Sequence, residues 1–240
     1  MINLNNILNI KNKNIINIVF EGLDKSGKST ISRELYNYLL KNLNKNKYKI
    51  SLYNHPNSKI CKEEREFLLN NIIDPLEEAK IFLNCKNKLI KYMNENLDPN
   101  KININIIDRW THSTFVYQNI NLFKTKNILL NDEITELIES DINQNGNLHI
   151  DFVVYLDTKY IIYKNRKSNT NVDNRENLIN DKNYFSLAKK LYNKIIKDNY
   201  LNLHKNYIVI NSDINNIGYK VLIIINKISN IVEKGGLNND

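Results

Sequence analysis

Short apolar runs at residues 15–20, 48–53, 102–107, 152–156 and 207–211 have the length and β-branched character of strands. Between them apolar residues return every three or four positions, the spacing of a helix packed on one face. Ile31, Leu35, Tyr38 and Leu39 mark the first such helix. Leu187, Leu191, Ile195 and Ile196 mark another over 181–201, and a last helix is expected over 217–232. Strands alternating with helices predict an α/β fold, a five-stranded parallel sheet flanked by helices on both faces. One strand departs from that pattern. Asn103 and Asn105 alternate with isoleucines where a strand covered on both sides would be apolar throughout, so one face of it is expected to be polar or lined by water.

Local signals place the remaining elements. Asn54-His55-Pro56-Asn57 reads as a turn, followed by a short helix over 62–70. In Asp74-Pro75-Leu76-Glu77, an N-cap, a proline at the first helical position and a glutamate completing a capping box open a long helix to about Asn94. A further helical piece is expected near 131–142, and a segment over 158–177 starts helical and becomes basic, polar and free of glycine.

A chain of 240 residues suits one domain with a sizeable core. We read 1–14 as a flexible Asn- and Lys-rich arm, 15–232 as the domain and 233–240 as a flexible tail. The start lacks the features of a signal peptide, and no apolar run reaches the length of a membrane span, which leads us to expect a cytoplasmic protein with no membrane partner. Cys61 and Cys85 show neither metal-ligand spacing nor a disulfide framework, and read as buried thiols in a reducing compartment. The net charge of +8 raises the possibility of nucleic acid as a partner. Its lysines form no dense block, however, and an enzyme acting on phosphates also tolerates a positive field; no nucleic-acid partner is expected.

The chemistry concentrates at Phe20–Thr30, FEGLDKSGKST. This is a G-x-x-x-x-G-K-[ST] phosphate loop between a strand and a helix, the mark of a three-layer P-loop NTPase fold. Gly22, Leu23, Asp24, Lys25, Ser26, Gly27, Lys28, Ser29 and Thr30 are expected to hold ATP phosphates at a helix N-terminus. Lys28 reaches the outer phosphates and Ser29 supplies a hydroxyl for Mg2+. Asp108, closing an apolar strand, falls at the sheet edge beside this loop, where it either holds the metal or caps the next helix. Arg109 then suits a bidentate grip on a phosphate. Lys25 is either a catalytic cation between donor and acceptor or a solvated side chain. Phe82 and Lys86 share a helix face and suit a base and a phosphate, although core packing and a solvated lysine are the plainer reading of that spacing.

These motifs resemble the thymidylate kinases, a family of P-loop nucleoside monophosphate kinases. FEGLDKSGKST is similar to the family's phosphate loop nearly residue for residue, DRWTHSTFVYQ at Asp108–Gln118 to its Asp-Arg signature, and EAKIFLNCK at Glu78–Lys86, more loosely, to the helix that carries its stacking Phe. The resemblance implies transfer of the γ-phosphoryl of ATP to dTMP, with Mg2+, on a homodimer. It implies that Asp24 lies near the acceptor, Lys25 acts as a catalytic cation, Phe82 stacks on thymine and Arg109 and Lys86 hold the acceptor phosphate. Ser113, Thr114, Tyr117 and Gln118 would line the base and sugar pocket, and Arg166 and Arg175 would belong to a mobile lid at about 158–180. Two departures stand out. The turn at Asn54–Ser58 lacks the family's arginine, with His55 or Lys59 as possible replacements, and Lys86 stands where arginine is usual. A kinase for another nucleoside monophosphate or a deoxynucleoside, and an inactive nucleotide-binding homologue, remain alternatives.

Overall fold

The computed structural model describes residues 14–126, 130–168, 181–211 and 216–235. Five strands, β1 (Ile15–Glu21), β2 (Tyr48–Asn54), β3 (Ile102–Asp108), β4 (Phe152–Asp157) and β5 (Asn206–Asn211), form one parallel sheet in the order β2-β3-β1-β4-β5. After β1 the chain lays down the far edge strand β2, inserts β3 between them, and then crosses to the other side of β1 for β4 and β5. This reversal opens a crevice at the C-terminal ends of β1 and β3, where ligands bind in such sheets. Phe20 lies opposite Asp108 in the register, so the phosphate loop and the Asp-Arg pair leave the sheet side by side.

Helices cover both faces. On one side lie α1 (Lys28–Asn42) and α8 (Ile217–Gly235), whose Ile31, Leu35, Ile224 and Ile228 pack on Ile16, Ile18, Phe20, Ile104 and Ile106. On the other lie α3 (Pro75–Glu95), α4 (Thr111–Lys126), α5 (Asp132–Asn145) and α7 (Asp181–Tyr192), closing over Val19, Ile107, Val153 and Tyr155. Successive strand residues thus serve opposite cores, as the pleat requires. Two shorter helices, α2 (Lys62–Asn70) and α6 (Tyr160–Ser168), flank the crevice connections.

Several elements run longer than the sequence pattern suggests, because polar residues extend them: β1 takes in Glu21, β2 Asn54, β3 Asp108 and β4 Asp157. Likewise α8 continues to Gly235, past the domain end expected at 232. At α3 the Asp74 carboxylate accepts from the Leu76 N–H at 2.8 Å, while Glu77 pairs with Lys80 at 2.6 Å rather than closing a capping box. The helix expected over 181–201 changes at Tyr192 into a wider π-helical turn, Asn193–Lys197.

The asparagines of β3 have a physical account. Asn105 donates to Asn17 Oδ1 at 2.9 Å, and Asn17 donates in turn to the His149 carbonyl at 2.8 Å. Asn103 donates to the carbonyls of Asp98 and Lys101, both at 2.9 Å, and so fastens the turn that enters the strand. Asn17, Asn103 and Asn105 are buried on the α3 side of the sheet. Asn17 and Asn105 also line a cavity of about 470 Å³ at the N-terminal end of the strands. Asn105→Leu should therefore strand the Asn17 amide oxygen and lower stability by about 1–3 kcal/mol in urea unfolding. An unchanged midpoint would mean that this network carries no weight.

Candidate active site

The phosphate loop is shaped by two glycines. At Gly22 (φ 139°) an added Cβ would meet the Leu156 carbonyl oxygen at 2.8 Å, so only glycine passes there. Gly27 (φ 97°) precedes α1 and leaves its first N–H groups without a side-chain cap, free to meet an anion. Lys28 is buried and folded back, donating to the carbonyls of Gly22 at 2.8 Å and Leu23 at 2.7 Å. Burial, reinforced by Arg109, pulls its ammonium down to about 8, against the pull of Asp24, Asp108 and Glu21. Lys25 takes a left-handed backbone (φ 62°), and its carbonyl accepts from the Arg166 guanidinium at 2.9 Å.

Ser29 and Asp108 meet as expected, with Ser29 Oγ donating to Asp108 Oδ2 at 2.5 Å. Asp108 Oδ1 is buried and has no hydrogen-bond partner among the described residues. Hydroxyl and carboxylate oxygens are the donors a hard divalent cation prefers, so the pair fits Mg2+. Asp108 does not cap the following helix. That task falls to Glu21, at the end of β1, whose Oε1 accepts from the N–H groups of Trp110 at 2.7 Å and Ser113 at 3.2 Å. Its Oε2 accepts from the Ser113 hydroxyl at 2.6 Å. Burial pushes the Glu21 carboxyl above its usual range, while Ser113, Arg109 and the Trp110 N–H pull the other way.

Arg109 stands at the centre of the crevice with a left-handed backbone (φ 71°). A non-glycine residue held in that region is strained and persists where its surroundings over-determine it. Its guanidinium is ion-paired with Asp24, donates to Ser113 Oγ at 3.0 Å and lies over the Tyr117 ring at 5.3 Å. Burial alone would raise the Asp24 carboxyl, but Arg109 and Lys28 hold it below the usual range. Tyr117 Oη accepts from the Asp24 N–H at 3.1 Å and so joins the phosphate loop to α4.

Two cavities adjoin here. One, of about 630 Å³, lies along the loop from Asp24 to Thr30 and is closed by Arg166, Ile217 and Lys220. The other, of about 250 Å³, gathers Phe82, Ser113, Thr114, Tyr117 and Gln118. Asp24 and Arg109 line both. The structure therefore brings together in one cleft nearly every residue singled out from the sequence. Gly22 and Leu23 contribute as acceptors for Lys28 instead of lining a cavity. Arg175 and the rest of the expected lid beyond residue 168 lie outside the described residues, as does the expected arm up to residue 13.

Lys86 requires a correction. It is wholly buried and ion-paired with Asp141 of α5, whose other oxygen accepts from Asn87 at 2.8 Å. It lines neither cavity, because a buried ammonium takes the nearest carboxylate that can neutralise it. Other residues of the cleft escaped the sequence reading. Glu78 lies one helical turn before Phe82, and Asn121 and Lys124 continue the face of Gln118, so helical spacing could have found them. Tyr184 and Lys220 arrive from distant helices and carry no local signal. Tyr192 is equally silent in sequence; it places its hydroxyl 3.0 Å from the Gly22 carbonyl. At the turn lacking arginine, His55 lines the smaller cavity and donates from Nε2 to the Phe82 carbonyl at 3.0 Å. Arg65 donates to the Pro56 carbonyl at 3.0 Å and braces that turn from outside.

Comparison with known proteins gives a consistent result. Residues 20–214 match the family model described as thymidylate kinase. The chain is 30% identical over 190 residues to a thymidylate kinase of Ureaplasma parvum serovar 3, a match covering 75% of this chain and 76% of that one. It is 36% identical over 104 residues to one from Malacoplasma penetrans, covering 43% and 48% of the two chains. The crystal structure of thymidylate kinase from Ehrlichia chaffeensis shares the fold, with a TM-score of 0.62 at 23% identity over 89% of this chain and 98% of that one.

His55 supplies a pH test of the site. Burial lowers its imidazole from 6.5 to about 4, so between those values the unfolded chain binds more protons than the folded one. Stability must then rise with pH across that window and fall on acidification. From pH 7 to 4.5 this group alone should cost roughly 2–3 kcal/mol, and His55→Gln should flatten the pH dependence of urea unfolding by about that much. An equally steep profile in the variant would show that His55 is not buried as a neutral ring.

Proposed function

Since the chain belongs to the thymidylate kinase family of nucleoside monophosphate kinases, we propose that it transfers the γ-phosphoryl of ATP to dTMP, giving dTDP and ADP. The observation that carries this reading is the pair of adjoining cavities with Asp24 and Arg109 in their common wall. Phosphoryl transfer demands a donor and an acceptor held in line, with charge compensation where they meet. ATP phosphates would lie on the loop N–H groups and draw Lys28 off the carbonyls of Gly22 and Leu23. Ser29 and Asp108 would hold Mg2+, which supplies charge neutralisation across the outer phosphates. Arg109, released in part from Asp24, would grip the acceptor phosphate while Phe82 stacks on the base. Lys25 would stabilise the group in transfer, with its backbone fixed by Arg166.

Other parts of the reading follow from the same family. A homodimer is supported by Phe67, Leu69 and Ile72, exposed apolar residues on and just after α2. A cytoplasmic site suits two free, buried thiols. No described helix is long and apolar enough to cross a membrane. A second reading, a kinase for another deoxynucleoside monophosphate, draws on one observation: Lys86, tied to Asp141, is withdrawn from the acceptor cavity, and Glu78 and Asn121 stand there in addition.

An ATP-consumption assay over a panel of nucleoside monophosphates and nucleosides tests the proposal. We expect dTMP to give the highest kcat/KM; a better substrate among the other monophosphates or the nucleosides would overturn it. Lys28→Ala should lose at least about 100-fold in kcat with the fold retained, because positioning and charge supply nearly all of this catalysis.

The two cations on either side of the phosphoryl group should separate kinetically. Arg109→Ala should raise KM for the acceptor far more than for ATP. Lys25→Gly should lower kcat by about tenfold or more at little cost in ATP affinity, the pattern of a group that binds the transition state better than the ground state. An intact kcat in the latter variant would make Lys25 a bystander.

A further inference from the structure

Behind the acceptor cavity, α2 and α3 bring two thiols and a carboxylate together. Cys61 immediately precedes α2, Glu64 lies in its first turn, and Cys85 lies on α3 one turn beyond Phe82. Cys61 Sγ, Cys85 Sγ and a Glu64 carboxylate oxygen all lie within 4.8 Å of one another. Both cysteines are buried, at 0% and 1% exposure, and Glu64 forms the solvent side of the cluster. We propose that Cys61, Cys85 and Glu64 form a site for one thiophilic divalent cation, with zinc as the best fit.

The donor set is that of zinc rather than of Mg2+, since thiolates suit borderline-soft ions. Zinc–sulfur bonds of about 2.3 Å at a tetrahedral angle put two sulfurs roughly 3.7 Å apart, so closing the site requires the donors to approach by about 1 Å at most. Cys61 and Glu64 come from the start of α2 and Cys85 from α3; the Cys61 thiol, which donates to the Cys85 carbonyl at 3.8 Å, and the Glu64 carboxylate, paired with Lys88, would turn toward the ion. A water would complete the tetrahedron from the Glu64 side, which is also the way in.

Charge balance favours the exchange. The free cluster holds two neutral thiols and the ion pair of Glu64 with Lys88, and is neutral overall. Thiols are ordinarily protonated at neutral pH, so a metal bound by both sulfurs takes the place of two protons. One divalent ion entering and two protons leaving keep the sum at zero, with Lys88 as the balancing cation. The other charged group facing Cys61 is Arg65, on the turn that braces Pro56. None of the three ligands lines either cavity of the cleft, and a metal here would clamp α2 to the helix that carries Phe82.

Titration of the reduced protein with Co2+ and then Zn2+ tests this. We expect one ion per chain, an intense sulfur-to-cobalt charge-transfer band, displacement of cobalt by zinc, release of two protons per ion and a higher Tm with zinc bound. Cys85→Ser and Cys61→Ser should lose the band. Glu64→Gln, an isosteric change at the solvent edge of the cluster, should keep the fold and weaken zinc binding by about tenfold or more. No band in the wild type, a band that survives Cys85→Ser, or a disulfide formed without retained metal would each overturn the site. Because every readout is independent of kinase activity, the proposal stands or falls apart from the acceptor assignment.

Discussion

Glu21 is the constraint on which the cleft depends. A carboxyl group with no exposure to solvent ends β1 and accepts from the Trp110 N–H and from the N–H and hydroxyl of Ser113 at the start of α4, with the Tyr192 hydroxyl beside it. A carboxyl group this deeply buried is tolerable only where its oxygens are answered, and here a helix N-terminus answers them. In doing so it fixes the point at which the chain turns from β3 into α4. Arg109 sits within that turn in a strained conformation, and its neighbours Asp108 and Ser113 are positioned by the same bonds. The phosphate loop begins one residue after Glu21, so the loop side and the Arg109 side of the cleft hang from a single carboxyl group.

That arrangement explains which features were legible in the sequence. The phosphate loop, Asp108 and Arg109 lie next to apolar strands, and the pattern of those strands dictates where they end up. The sheet followed from the same periodicity, and its ends were misjudged only where polar residues such as Glu21 and Asp157 continue the ladder. Glu21 itself lies inside the motif, but nothing local says that it caps a helix nearly ninety positions away (Trp110 N–H to Glu21 is a separation of 89 residues). Lys86 shows the opposite failure: its spacing from Phe82 was real, and the carboxylate that captures it comes from α5. Tyr192 and Lys220 are the purest cases, since only the packing of distant helices brings them in.

The asparagines of β1 and β3 illustrate how a composition rich in Asn is accommodated. Each is placed where a partner amide or carbonyl lies within reach, at the end of the sheet away from the crevice. These asparagines therefore enter the sandwich on the α3 side with their amide N–H groups paired, and the crevice end keeps its apolar support of Val19, Ile107 and Trp110.

The folded-back ammonium of Lys28 has a consequence for energetics. With an ionisation near 8 and two backbone carbonyls as its partners, this group is partly neutral at mildly alkaline pH. On the proposed reading, arrival of a polyphosphate would favour the charged ammonium, so that nucleotide capture at mildly alkaline pH would draw a proton from the medium. The heat of binding would then include the ionisation enthalpy of whatever buffer gives up that proton, and apparent affinity would decline as alkalinity rises.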